Sequence, residues 1–354
     1  MYPSEAAPNY GVFVRRTEQL LLEAGHEVKR VVLSKQSSRV RKVAGYAHYV
    51  VSLFKETAAF KPDVLYVHYA SQNARPVLWL KKRFPNLRVV LNVHGTDVLP
   101  QTAAQAKYQP DVAKLMAKVE HVIAPSTFYE KTVKEKYGFT GGITVFPSGG
   151  IDTNIFRPAP NMGADFRKQH SIPENAFVVG YISRIDVGKG WDTLLEASEM
   201  ANIPNLHLLV AGTGAEETLF REKAKVLKKP LTKLPMLTQP QMNAAFNAMD
   251  IFCFPSFQES LGLVGIEAMA TATPIIVSDI PGVKDYVTDK NSWLFSAGEA
   301  DQLALRLEKA ATQPLAEYQA AALKTAERFD QHIVKNKLLA VFNSTNDKKE
   351  DSLI

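Results

Sequence analysis

Short apolar runs rich in β-branched residues alternate along this chain with longer segments of helical spacing, and the alternation occurs twice. In the first half the runs are His26–Leu33, Asp63–His68, Arg88–His94, His121–Ala124 and Ile143–Phe146; in the second they are Phe177–Ile182, Leu206–Val210, Asp250–Phe254, Pro274–Val277 and Trp293–Leu294. Strands that alternate with helices must be parallel, with the helices on the sheet faces, so the fold class is α/β. Between the halves, Arg157 to Asn175 holds three prolines and little periodicity. An interdomain connection is expected there. The 354 residues suit two doubly wound domains, 1–156 and 157–328, each long enough to bury its own core. Val12–Leu22 reads as a helix closed by Gly25.

Ligands of such sheets bind beyond the carboxyl ends of the strands, so the loops after strands are where chemistry is to be sought. Composition narrows the partners. The chain is 46% hydrophobic and 22% charged with a single cysteine, Cys253, set in the apolar run Ile251–Phe254, where a buried small hydrophobe is the expected role. No apolar stretch is long enough to span a membrane and the start lacks a leader pattern, so a cytosolic, reducing compartment is expected. Residues 1–150 carry 21 Lys/Arg against 11 Asp/Glu, a net +10, whereas the remainder carries 21 against 25, a net −4. A basic front half fits an anionic partner. Arg39, Arg41 and Lys42, then Lys81, Lys82 and Arg83, with Val40, Tyr46, Tyr49 and Phe54 nearby, fit peripheral contact with anionic lipid or, equally, a solvated surface. No helix-turn-helix, zinc-ligand or RNA-binding signature accompanies the charge, which argues against nucleic acid.

The richest segment is Pro255–Ala270, "PSFQESLGLVGIEAMA". It follows an apolar run and opens into a helical composition, so the unpaired amides of a first turn, around Gly262 and Leu263, face the ligand end with a positive dipole. Glu259 precedes this turn and Glu267 is expected about two turns along it, two carboxylates able to accept hydrogen bonds from sugar or ribose hydroxyls. Each alone is equally a dipole partner or a surface glutamate. Beyond the run Phe177–Ile182, Arg184 and Lys189 lie five residues apart in a loop containing Gly188 and Gly190. Two cations so placed can converge on a diphosphate and neutralise it without a metal. Gly212 and Gly214 follow the next run, but the third glycine of a dinucleotide fingerprint is missing. In the first half, His94 stands at a run's end beside Gly95 and Asp97, and Asn9–Gly11 opens the first helix. There is no Asp-x-Asp pair, zinc spacing or nucleophile elbow, which argues against metal-bound diphosphate chemistry, zinc hydrolysis and serine hydrolysis.

With these pieces together, the sequence resembles the family 4 retaining glycosyltransferases of GT-B architecture: two Rossmann-like domains facing a cleft. The glutamates eight apart, Glu259 and Glu267, carry the resemblance most specifically. The Arg184–Lys189 loop, "HGTD" at His94–Asp97, "PSGGID" at Pro147–Asp152 and "YGVFVRR" at Tyr10–Arg16 follow the family's order. The resemblance implies that Glu259 holds hydroxyls of the transferred sugar, Glu267 the ribose, and Arg184 and Lys189 the diphosphate. It implies that Gly262 and Leu263 supply amides, His94 contacts the donor sugar, and Lys233 and Leu234 flank the base near Gly212. Asn9 and Gly11 would form the acceptor and phosphate loop. It further implies a nucleotide-diphosphate sugar as co-substrate with no metal or other cofactor, and a lipid-linked or polysaccharide acceptor met at the inner face of a membrane. Residues 329–354 would be a helix returning to the first domain through Ile333, Leu338, Leu339 and Phe342, followed by a polar tail.

The sequence departs from the family pattern at Ala272, Ser183 and Ser292, where glycine is usual. The apolar strand that normally precedes a segment like Met1–Ser4 is absent. In the order 3-2-1-4-5 that strand is central, so its neighbours are expected to lack a partner, and a natural start further upstream or a poorly stable chain is expected. Two other readings share the residues: a nucleotide-sugar epimerase of the same architecture, and a silent subunit of a glycosyltransferase complex. A dinucleotide oxidoreductase lacks its Gly-x-Gly-x-x-Gly.

Overall fold

The computed structural model describes residue 2 and residues 11–33 and 38–343. The chain divides into two compact units, residues 1–149 with 332–354, and residues 150–331. In the first unit four parallel strands, β1 (Val64–His68), β2 (Arg88–Asn92), β3 (His121–Ala124) and β4 (Gly142–Val145), lie in the order β1-β2-β3-β4. In the second, β5 (Phe177–Ile182), β6 (Leu206–Ala211), β7 (Leu231–Leu234), β8 (Ile251–Phe254), β9 (Ile275–Ser278) and β10 (Ser292–Phe295) lie in the order β10-β9-β8-β5-β6-β7. That sheet is doubly wound from β5, and its order reverses between β5 and β8, the place where such folds open a crevice for ligand.

The central strands read as unbroken apolar runs because helices cover both of their faces. Every residue of β6, β8 and β9 is buried, and Cys253 lies at zero exposure in β8 with burial raising its thiol pKa. One face of the sheet packs Phe246, Phe252, Phe254, Ile266 and Met269, the other Trp191, Leu195, Ile276 and Leu303. Each fully buried side chain of this size contributes roughly 1.5–3 kcal/mol. β7, which the sequence reading passed over, is an edge strand with all four residues only half-buried. Its Thr232 and Lys233 break the apolar pattern on which that reading relied.

The first unit departs from expectation in one place. Among the described residues, His26–Leu33 joins no ladder. Between it and β1 lies a cavity of about 420 Å³, whose lining includes Leu21, Val28, Val31, Tyr49, Leu65 and Val67. Among the described residues β1 pairs on one side alone, with β2.

The helix Val12–Glu23 ends as read, with Gly25 at φ 87°. The last helix, Gln331–Asn343, packs on the first unit: Val334, Leu338, Val341 and Phe342 join Leu20, Leu21, Val90, Ile123 and Phe146. Ile333, expected among these contacts, is 53% exposed and Val334 takes its place one residue on. Among the described residues no helix is long and apolar enough to cross a membrane.

Candidate functional site

The two loops that flank the reversal of the second sheet are those singled out in the sequence. After β5, Ser183–Gly190 turns over the sheet end; after β8, Pro255–Gly262 leads into the helix Leu263–Ala270. They touch backbone to backbone. Phe257 donates its N–H to the Gly188 carbonyl at 3.0 Å, and a Cβ on Gly190, itself at φ 68°, would fall 2.0 Å from the Pro255 oxygen. Tyr181 pins the first loop from beneath, its hydroxyl donating to the carbonyls of Arg184 at 3.1 Å and Lys189 at 3.3 Å. Tyr286 does the same for the second, donating to the Gly262 carbonyl at 3.2 Å. Burial raises both phenol pKa values, so each remains a donor.

Held this way, Lys189 Nζ meets Glu259 Oε1 at 2.6 Å, with side chains 18% and 17% exposed. An ammonium has three donors and a carboxylate about four acceptor sites, so each member keeps polar capacity for a ligand. Beside them the helix Leu263–Ala270 starts at Gly262 in left-handed geometry, with no side-chain cap. Its first amides form the bare positive end that anions favour. The helix starts where the Gly262–Leu263 turn was expected, and Glu267, four residues on, lies about one turn along it rather than two.

The two cations do not converge. Arg184 is ion-paired with Asp186 within its own loop and is largely exposed, while Lys189 turns to Glu259. Asp186 also accepts from the Ala215 N–H at 2.7 Å, tying this loop to the one after β6. There Gly212, at φ 135°, has no room for a side chain: a Cβ would lie 1.8 Å from the Ser183 oxygen. Lys233 folds back, donating to the carbonyls of Gly212 at 2.5 Å and Leu234 at 3.1 Å, with Glu217 3.5 Å away. Burial lowers its pKa, partly countered by Glu217. Its ammonium thus braces the loop.

In the first unit, His94 lies beyond β2 with Nε2 3.2 Å from His68 Nδ1. Asp97, fully buried, accepts from the His94 N–H at 2.9 Å and the Ala70 N–H at 2.8 Å. Desolvation pushes His94 down to about 3 and His68 well below its usual value, so both imidazoles are neutral at physiological pH. Neither His68 nor the stapling role of Asp97 was found in the sequence; the signal available was that His68 and His94 both end apolar runs. Gly11 caps the first helix at φ 81°, and Phe13 brings its ring within 4.5 Å of His94. Asn9 lies outside the described residues.

Of the groups expected to meet lipid, Tyr49 is buried and donates to Asn73 Oδ1 at 2.8 Å, Tyr46 donates to the Gln72 carbonyl at 2.7 Å, and Phe54 is half-buried. The hydroxyls of Tyr46 and Tyr49 find partners on the helix Ala70–Arg83, and Phe54 packs with Leu53, Leu80 and Leu87. Lys81 is paired with Glu120 at 2.6 Å. Val40 stays 79% exposed and Arg41 and Lys42 are also exposed; the Arg39 side chain lies outside the described residues.

Two family models match consecutive parts of the chain. Residues 8–154 match Glycosyltransferase Family 4 and residues 164–331 match Glycosyl transferases group 1. Together the two models span most of the chain, and its two Rossmann-like units have the GT-B fold. Among its relatives, the D-inositol 3-phosphate glycosyltransferase of Thermomonospora curvata is 25% identical, over 95% of this chain and 86% of that protein. Among solved structures, sucrose-phosphate synthase from Thermosynechococcus elongatus superposes with TM-score 0.80 at 21% identity, covering 97% of this chain and 95% of that one. Anabaena HepE in complex with UDP-glucose superposes with TM-score 0.73 at 19% identity, covering 92% and 88%. This GT-B chain carries the Lys189–Glu259 pair at the reversal of its second sheet, the position where the fold class places a ligand.

Proposed function

We propose that the protein transfers a sugar, with retention of configuration, from a nucleotide-diphosphate sugar to a lipid-linked or polysaccharide acceptor in cell-surface glycan synthesis. The observation that carries this reading is the Lys189–Glu259 pair at 2.6 Å beside the uncapped helix Leu263–Ala270. The cation and amides suit a diphosphate, and the carboxylate beside them suits the hydroxyls of the sugar attached to it. A UDP-sugar is the donor we infer over a GDP-sugar, since HepE of similar fold was crystallised with UDP-glucose.

In this reading Lys189, Arg184 and the amides of Gly262 and Leu263 hold the diphosphate. Arg184 leaves Asp186 to reach it, Glu259 accepts from sugar hydroxyls, and Glu267 accepts from the ribose. Leu234, with the Lys233 stem, borders the base. The bond from the anomeric carbon to the diphosphate breaks, the acceptor oxygen bonds to that carbon on the same face, and a departing phosphate oxygen takes the acceptor proton. Charge stabilisation of the leaving group is the main catalytic contribution. His94 contacts the sugar, and Gly11 and Asn9 border the acceptor. The protein works in the cytoplasm at the inner membrane face, where Arg41, Lys42, Val40 and Val43, all exposed, touch anionic lipid.

A thermal-shift titration with UDP, GDP, ADP and their sugar conjugates tests the reading. Stabilisation by UDP and its conjugates that disappears in Arg184→Ala/Lys189→Ala supports it. A cooperative melt indifferent to every nucleotide refutes it.

A further inference from the structure

His68 has no role in the chemistry described above, yet the first unit holds it with unusual care. It is the last residue of β1, and its carbonyl accepts from Asn73 Nδ2 at 2.9 Å. The next residue, Tyr69, has φ 72°, a left-handed conformation that costs a non-glycine residue on the order of 1 kcal/mol or more. The chain then enters the helix Ala70–Arg83, whose first N–H is held by Asp97. The other oxygen of the same carboxylate holds the backbone of His94. One buried group thus staples the two backbones that carry the two imidazoles.

The rings themselves are nearly parallel, with 20° between planes and centroids 5.4 Å apart. Tyr66 packs 4.4 Å from His68, and Phe13 4.5 Å from His94. The groups facing the pair are the phenols of Tyr66 and Tyr69, the Thr96 hydroxyl bonded to Tyr69, and the carboxylate of Asp97, which is engaged by backbone N–H groups. Between two neutral imidazoles a bond of 3.2 Å needs one N–H and one lone pair. Whichever ring donates, the bond couples the two tautomers and stops rotation of His94. Both rings remain partly accessible, so a ligand can reach the pair.

Resting on the donor-sugar role given to His94 above, we propose that His68 is a positioning residue that fixes the tautomer and ring plane of His94 for one hydroxyl of the transferred sugar. A neutral, tautomerically fixed imidazole offers a hydroxyl a defined donor or acceptor. An imidazole in mixed tautomers offers the right one only part of the time.

The test compares His68→Ala and His68→Gln with the unaltered chain. The readouts are imidazole ¹⁵N spectra, donor kcat/KM with UDP-glucose as probe, and UDP-induced thermal shift. In His68→Ala, His94 is expected to change from a single tautomer to a mixture and kcat/KM to fall about tenfold, while the UDP shift, generated in the second unit, stays unchanged. His68→Gln, which restores a hydrogen-bonding side chain, recovers most of the loss. An unaltered His94 spectrum in His68→Ala overturns the proposal, and so does a folded His68→Gln no better than His68→Ala. If the unaltered chain transfers no sugar, the proposed function fails on its own, and the ¹⁵N spectra still decide the role of His68 in fixing the His94 tautomer.

Discussion

Lys189 and Glu259, seventy residues apart in sequence, form an ion pair of 2.6 Å between the loops that follow β5 and β8. Neither side chain is more than one-fifth exposed. In the function proposed above, the pair sets the ammonium that meets the diphosphate beside the carboxylate that meets the sugar hydroxyls.

In the proposed mechanism, removal of Lys189 deletes a charge from the leaving-group site, and it takes the ion-pair partner from Glu259. We expect Lys189→Ala to lower donor kcat/KM by about 10²–10³, equivalent to roughly 3–4 kcal/mol of transition-state stabilisation. Steady-state kinetics with saturating acceptor measures it; a loss below threefold would remove Lys189 from the mechanism.

Ala272, where the family pattern favours glycine, has φ 62°. The Cβ penalty there exceeds the extra flexibility glycine gives the unfolded chain. Ala272→Gly is therefore expected to stabilise by about 0.5–1 kcal/mol, read as a higher urea midpoint. Ser183 and Ser292 have no left-handed backbone, and Ser292 instead donates to the Thr288 carbonyl at 2.7 Å, so glycine at either gives no such gain. Gly190→Ala is the opposite case, since its Cβ would meet the Pro255 oxygen; a loss of about 1–3 kcal/mol from overpacking is expected, together with the UDP response.

Acid should weaken the first unit through its histidine pair. The folded pKa of His94 is about 3, that of His68 is also lowered, and both start from 6.5 unfolded. The unfolded chain therefore binds protons first. This contribution is fully present above about pH 6.5 and is lost progressively as pH falls toward 3. Urea midpoints measured between pH 7 and pH 4 should fall, and His94→Gln should flatten the slope; parallel slopes would disprove the linkage.

The cavity between His26–Leu33 and β1 leaves backbone groups without ladder partners. Tyr2 is among its lining residues. An appended apolar strand of about five residues is expected to raise the melting temperature and bring residues 26–33 into hydrogen-exchange protection. An unchanged melt and unprotected amides would show that the gap does not accept a strand.

The second unit was the more legible in sequence because its central strands are buried on both faces and therefore read as uninterrupted apolar runs. β7 was hidden by Thr232 and Lys233, and His26–Leu33 was read from composition although pairing depends on a neighbour that composition cannot supply. Glu259, Lys189 and the helix beside them stood out through spacing and turn residues. The bracing by Lys233 and the His68–His94 contact did not, because each joins residues whose proximity depends on how strands lie side by side; the pairing of Arg184 with Asp186, two residues on, is a choice of side-chain rotamer that spacing does not decide.

The chain enters the second unit at Gly150 and leaves it at Gln331, and the two ends are hydrogen-bonded to one another: Ile151 donates to the Phe329 carbonyl at 2.9 Å and Gln331 to the Ile151 carbonyl at 2.8 Å. The second unit is in effect an insert whose two ends emerge side by side, the arrangement under which one domain can be spliced into another without stretching either. Grafting experiments therefore have natural cut points. Residues 150–331 can be exchanged as a cassette for the corresponding half of a relative, while the first unit, assembled from both ends of the chain, must be kept whole to keep its terminal helix.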